Sequence, residues 1–298
     1  MFVLSMHFST IIYIIIFVLL IIIASINFVL HWKQRDRIYY LRFLLLSIVG
    51  LIYNFIEEIF PDSKSTIDRN TQYIISYTSG LLSAFYFLFY LYKEYHLKFI
   101  KRFDLLLVGS FSFLILICSF IIPLSITKSI SIPRYLFLSI ILIILLLNIF
   151  SILKNQFLKF KSSKEIFLKV HSIIGVIGFL SIISLPITIL SSSGNQFIVQ
   201  FCYTLGFFII STDYFLYPYR KEEIKKTIPF EKLSVRETEV LKLLLEDPNL
   251  KYSEISQMLN ISEKTLSTHL SNIYKKIEIK NKKEIHEISK IYKSTIIE

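Results

Sequence analysis

Lys264, Thr265, Ser267, Thr268, Ser271, Asn272 and Lys275 bring hydroxyls, an amide and two ammonium groups into one short stretch. On a helix their spacing gathers them on one side. Leu266, Leu270, Ile273 and Ile277 recur at steps of 4, 3 and 4, which puts them on the opposite, inward side. Short hydroxyls can bond several base edges, and a threonine methyl can touch a thymine methyl. Lysines at the two ends meet phosphates, which adds affinity but reads no sequence. The surface such a face suits is the major groove of double-stranded DNA.

The elements that must position this face come just before and after it. Ser234 followed by Glu237 is a capping box, and it opens a helix with Val240, Leu241, Leu244 and Leu245 on one side. Asp247-Pro248-Asn249 stops that helix. A short helix is expected over Ser253–Leu259, burying Ile255, Met258 and Leu259. A tight turn, Asn260-Ile261-Ser262, follows, with Ser262 placed to cap the third helix. Asn281 and Glu284 form a second capping box ahead of a last helix through Ile285, Ile288 and Ile291 or Tyr292. This pattern fits a helix-turn-helix, and it equally fits a generic helical bundle with one solvated face.

A resemblance separates the two. Leu233-Ser-Val-Arg-Glu-Thr-Glu-Val-Leu241, Ser253-Glu-Ile255, Leu259-Asn-Ile-Ser262, Thr265-Leu-Ser-Thr-His269, Asn272-Ile273, Lys276 and Asn281-Lys282 resemble, in register, the LuxR-type (GerE family) helix-turn-helix domain. The likeness spans roughly Leu233 to Ile291, about a fifth of the chain. It implies a four-helix DNA-binding domain whose last helix pairs two copies on two half-sites. It also implies that His269, where the family carries a histidine, packs or caps. The family usually has Gly near Asp247-Pro248, Ala at Ser256 and a basic residue at Ser267. The neutral Ser267 implies weaker phosphate attraction or a different base readout.

The preceding chain is of another kind. The 298 residues are 54% hydrophobic and 18% charged, and the mean hydropathy is +0.60. Those values exclude an ordinary soluble protein. Seven runs have membrane-spanning length: about Ile11–Leu30, Leu41–Phe60, Tyr73–Tyr92, Leu105–Ile122, Tyr135–Ile152, Phe167–Leu190 and Phe197–Tyr217. The first is too long for a signal peptide, and its positive charges follow it. Of the net charge of +11, the tail from Tyr219, with sixteen Lys or Arg and thirteen Asp or Glu, holds only a small part. The rest lies mainly in alternate loops. Lys33, Arg35, Arg37 and Arg42 follow the first span; Lys93, Lys98, Lys101 and Arg102 the third; Lys154, Lys159, Lys161, Lys164 and Lys169 the fifth; Arg220, Lys221, Lys225 and Lys226 the seventh. The intervening loops are poor in them. The positive-inside rule then predicts an outside amino terminus and a cytoplasmic carboxy-terminal domain.

Polar residues within spans are the sensing candidates. Asn54, Glu57 and Glu58 share a face near the end of the second span. Either both acids sit in interfacial water, or they form a proton, cation or ligand site. His171 and Asp213 fall at similar depth in the sixth and seventh spans and are able to pair. Asn148 is expected to bond between helices, Pro186 to kink its helix, and Tyr39, Tyr92, Tyr217 and Tyr219 to lie in an interfacial belt. Cys118 and Cys202 lack metal-type spacing. No catalytic, metal or cofactor motif is found.

The expectation is therefore an all-α chain: a seven-span sensor over residues 1–217, a charged linker over 218–232 and a LuxR-type domain over 233–298. Expected partners are DNA, the lipid bilayer, a second copy, and an unidentified ligand or membrane protein. The function implied is a membrane-bound one-component transcriptional regulator. The alternative is a transporter with a carboxy-terminal docking module.

Overall fold

The structure is a computed structural model and describes residues 8–34, 36–62, 65–97, 105–162, 166–191, 196–227, 230–277, 279, 285 and 289. Among these every regular element is helical. The chain divides into two units, Met1–Lys33 with Arg37–Phe215, and Gln34–Asp36 with Leu216–Glu298.

The first unit contains α1 (Phe8–Leu30), α2 (Arg37–Ile59), α3 (Arg69–Tyr95), α4 (Leu105–Leu116), α5 (Ile122–Thr127), α6 (Ser131–Ser162), α7 (Ile166–Ser191) and most of α8 (Gln196–Thr227). Its exposed surface is apolar. On α1, Ile12, Ile15, Leu19, Ile22, Ile26 and Val29 are exposed at helical spacing, while Phe17, Leu20 and Ala24 are buried. Exposed apolar stripes of this length are costly in water and natural in lipid. Among the described residues, six helical segments are long and apolar enough to cross a membrane: Thr10–Leu30, Arg37–Ile59, Arg69–Tyr95, Leu106–Thr127, Ser131–Lys161 and Ile166–Ser191. The expected seventh span, Phe197–Tyr217, falls within α8, some of whose side chains lie outside the described residues.

The fourth segment is not regular throughout. Between α4 and α5 lies one π-helical turn, Ile117–Ile121, where the Ile122 N–H donates to the Ile117 carbonyl five residues back. Pro123 explains the need for adjustment, because it has no N–H to continue the α-helical ladder. The interior is rich in aromatic contacts. Phe43 stacks on Tyr214 with centroids 3.9 Å apart, and Tyr53 meets Tyr203 edge-on at 5.0 Å. Gly175 admits the Tyr95 ring: a Cβ there would come within 2.6 Å of it.

Several expectations are corrected. Asn148 bonds within its own helix, donating to the carbonyl of Ile144 one turn back at 2.8 Å. Tyr39 and Tyr217 are buried, while Tyr219 is exposed, so the first two serve packing rather than an interfacial belt. Pro186 lies inside α7. Pro218 does not end α8, which continues to Thr227. Of the linker expected over 218–232, the segment Pro218–Thr227 is therefore helical.

The second unit contains a 3₁₀ turn (Phe230–Lys232), α9 (Val235–Glu246), α10 (Tyr252–Met258) and α11 (Glu263–Lys276). Its core is Val240, Leu241, Leu244, Leu245, Ile255, Leu266, Leu270, Ile273, Ile277 and Ile285. The capping box at α9 forms as expected: the Glu237 N–H donates to Ser234 Oγ at 3.3 Å and the Ser234 N–H to Glu237 Oε2 at 2.7 Å. The expected last helix lies almost wholly outside the described residues, including Asn281, Glu284, Ile288 and Ile291. Of its expected positions, Ile285 is helical and buried, and Ser289 donates to the Leu245 carbonyl at 2.8 Å.

Candidate nucleic-acid interface

The turn between α10 and α11 is set by a left-handed residue. Asn260 has φ +53°, a conformation that asparagine tolerates better than most side chains. Its N–H donates to the Gln257 carbonyl at 3.2 Å, and the next N–H, of Ile261, to the Ser256 carbonyl at 3.0 Å. These two bonds are a Schellman motif. Two residues later Ser262 caps α11, its Oγ accepting the Thr265 N–H at 3.1 Å. The old helix ends and the new one begins within four residues, which fixes the angle at which α11 leaves α10. Met258, expected inside, is exposed; the buried residues of α10 are Ile255 and Ser256. Ser256 settles its hydroxyl on the Ser253 carbonyl at 2.8 Å, so this departure from the family's usual alanine leaves no unpaired group.

The inward stripe of α11 is as expected. Leu266, Leu270 and Ile273 are buried, and His269 beside them is half-buried. Lys264, Thr265, Ser267, Thr268, Ser271, Asn272 and Lys275 are all exposed on the other side. They span about 16 Å of helix axis, and a helix about 10–12 Å across matches a major groove about 12 Å wide. Two of the hydroxyls already have helix partners: Thr265 Oγ1 lies 2.8 Å from Ser262 Oγ, and Thr268 donates to the Lys264 carbonyl at 3.1 Å. Ser267, Ser271 and Asn272 make no side-chain hydrogen bond among the described residues. Lys276 does not join the face; its Nζ donates to Glu237 at 2.7 Å.

In the first unit the candidate polar residues point to different neighbours. Asn54 is fully buried and donates to the Gly50 carbonyl at 2.9 Å, while its Oδ1 is buried without a partner. Glu57 accepts from Ser76 on α3 at 2.5 Å. Glu58 accepts from Thr10 on α1 at 2.7 Å. The two acids are thus divided between opposite neighbours of α2. Both are half-buried and bonded to a neighbouring helix.

His171 and Asp213 do meet: Nδ1 lies 2.8 Å from Asp213 Oδ2. The pair belongs to a larger cluster. The Tyr95 hydroxyl donates to the same Asp213 oxygen at 2.9 Å, and the Tyr95 ring stacks on the imidazole at 4.2 Å. His171 Nε2 lies 3.1 Å from the Glu94 carbonyl. Both ring nitrogens therefore face oxygen atoms. The Glu94 carboxylate takes Arg42 at 2.8 Å. Gln156 and Lys159 donate to the Tyr95 carbonyl at 3.0 and 2.8 Å. The sequence reading missed Arg42, Glu94, Tyr95, Gln156 and Lys159 as members. In the sequence Arg42 and Lys159 read only as loop charges. Glu94, an acid where a span ends, was the available signal.

Residues 231–288 match the family model for bacterial regulatory proteins of the luxR family (GerE). The carboxy-terminal segment is therefore a LuxR-type helix-turn-helix domain, of a family of DNA-binding regulators. The match covers about a fifth of the chain. No curated protein and no solved structure matches the chain.

Proposed function

We propose that this protein is a membrane-integral, one-component regulator of transcription. The observation that carries the reading is the presence, in one chain, of a LuxR-type domain and six helices able to cross a membrane. Counting Phe197–Tyr217 as the seventh span, the alternating loop charges put the amino terminus outside and residues 233–298 in the cytoplasm. Lys264 and Lys275 contact phosphates, and Thr265 hydrogen-bonds the DNA backbone. Ser267, Thr268, Ser271 and Asn272 face base edges. Two copies pair through the last helix. The spans, through Asn54, Glu57, Glu58, His171 and Asp213, bias the arrangement of the DNA-binding domains, a population shift between states of different DNA affinity.

The test uses the intact protein in lipid nanodiscs. It should retard fragments of its own genome in a gel, with an affinity that falls linearly on a logarithmic salt scale. No retention of any fragment at low salt would sink the reading. A transporter with a docking tail has one observation in its favour, the half-buried acids between α1, α2 and α3. Replacing Glu57 and Glu58 by Gln separates the two. A changed reporter output supports sensing, while loss of solute uptake with an unchanged reporter supports transport.

A further inference from the structure

The first unit holds a partly open cavity of about 300 Å³ among α2, α3, α6, α7 and α8. Its walls are mostly apolar, formed by side chains such as Phe137, Leu138 and Leu185. The hydroxyls of Tyr53, Tyr73 and Tyr77 and three further polar residues interrupt them. Glu57 and Ser76 lie on one side and are hydrogen-bonded to each other. Arg134, at the start of α6, is the third, and its Nε is buried with no hydrogen-bond partner. A buried guanidinium N–H without a partner costs free energy unless something else supplies the acceptor. The combination of one under-satisfied cation and a long apolar wall selects for an amphiphile.

We propose that this cavity binds a lipophilic anion, its carboxylate or phosphate head on Arg134 and its apolar body along Phe137, Leu138 and Leu185. The proposal deepens the sensor reading, since it names the chemistry that the spans detect. A guanidinium holds a carboxylate or phosphate by paired N–H bonds, where an alcohol offers one weak acceptor and an ammonium repels. The tail length follows from the volume. An apolar cavity of about 150 Å³ holds benzene, so twice that takes on the order of twelve non-hydrogen atoms. Decanoate is a probe of that size. Glu57 is already taken by the Ser76 hydroxyl, so the head group is assigned to Arg134.

The experiment is calorimetric titration of the intact protein in phosphatidylcholine nanodiscs, with empty nanodiscs as the partition control. Decanoate should bind saturably above the control, and decanol and decylammonium should bind at least about tenfold more weakly. Arg134→Gln should lose about tenfold in decanoate affinity, and Arg134→Lys should recover part of it. Leu138→Trp, which fills the cavity and keeps the cation, should also lose decanoate. If Arg134→Gln fails to fold, Arg134→Lys and Leu138→Trp decide the matter. Decanoate uptake equal to empty nanodiscs, or equal in wild type and Leu138→Trp, would overturn the proposal. So would equal binding of decanoate and decylammonium. Repetition in phosphatidylglycerol nanodiscs identifies the source. Weakened decanoate binding there means that a phospholipid head occupies the site, and unchanged binding means that a free anion does; both uphold the anion site. Gel retardation with the same nanodiscs keeps the two claims apart. Lost DNA binding with intact decanoate binding removes the regulator reading alone, and the converse removes this one alone.

Discussion

Lys276 Nζ donates to Glu237 Oε2 at 2.7 Å, and the same oxygen accepts the Ser234 N–H at 2.7 Å. One carboxylate thus caps the start of α9 and clamps the end of α11 to it. The Lys276 ammonium and the Ser234 bonds hold the Glu237 carboxyl down at about 2, against an ordinary value of 4.5. The folded value lies below the unfolded one, so the stability that this group contributes is present above about 4.5 and lost as pH falls from there towards about 2. Glu237→Gln keeps an amide oxygen that can accept the Ser234 N–H but removes the charge that meets Lys276, and should cost the domain roughly 1–2 kcal/mol at neutral pH. It should also flatten the acid limb. Hydrogen exchange of the α9 amides, corrected for intrinsic rates, measures both. An unchanged acid limb in the variant would contradict the assignment.

Asn260, at φ +53°, is the hinge residue of the α10–α11 turn. Glycine adopts this conformation freely, and a β-branched residue does not. Asn260→Gly should leave stability within a few tenths of a kcal/mol, whereas Asn260→Val should cost roughly 1–2 kcal/mol. Exchange protection at Leu270 and Ile273 reports the difference. If valine were tolerated as well as glycine, the turn would not be held by this backbone conformation.

Local chemistry explains why the second unit was so legible. The Ser234–Glu237 box, the Ser262 cap and the Leu266–Leu270–Ile273–Ile277 stripe each depend on residues within a few positions of one another, and all appear where the sequence placed them. Met258 fitted the same periodicity yet is exposed, because α10 is under two turns long and its last residue lies past the buried contact. In the first unit, span positions were readable from apolar length. Partners were not. Glu57 and Glu58 are adjacent in sequence but bond to α3 and α1 respectively. His171 and Asp213 were paired correctly from depth alone, yet nothing local pointed to Tyr95, which Gly175 admits from another helix. The linker expected over 218–232 begins at Pro218, and α8 runs through that residue to Thr227.

The exposed face of α11 makes a quantitative prediction about DNA. If Lys264 and Lys275 meet phosphates, replacing either by Ala should weaken binding to all sequences alike and lower the salt slope by about 1. Ser271→Ala should instead change which sequences are preferred, with roughly 1–3 kcal/mol lost on the best site and little on others. Ser267→Arg should raise affinity broadly and steepen the salt slope by about 1. Gel retardation at several salt concentrations, with the intact protein in nanodiscs, gives all three. A uniform loss from Ser271→Ala would remove it from base readout.

The Asp213 cluster offers a sharper test of the spans. Asp213 is buried and accepts from Tyr95, with His171 Nδ1 at 2.8 Å from the same oxygen. Tyr95→Phe removes one donor and leaves the carboxylate its histidine; it should cost about 1 kcal/mol. Asp213→Leu leaves both the Tyr95 hydroxyl and the imidazole without their acceptor in a buried place, and should cost roughly 3 kcal/mol or more. Removing donor and acceptor together, as Tyr95→Phe with Asp213→Leu, should cost less than the sum of the two, because the buried hydroxyl is no longer stranded. Thermal unfolding in nanodiscs measures the cycle. Additive losses would mean that the tyrosine and the aspartate stabilise the first unit independently, and the cluster would not act as one.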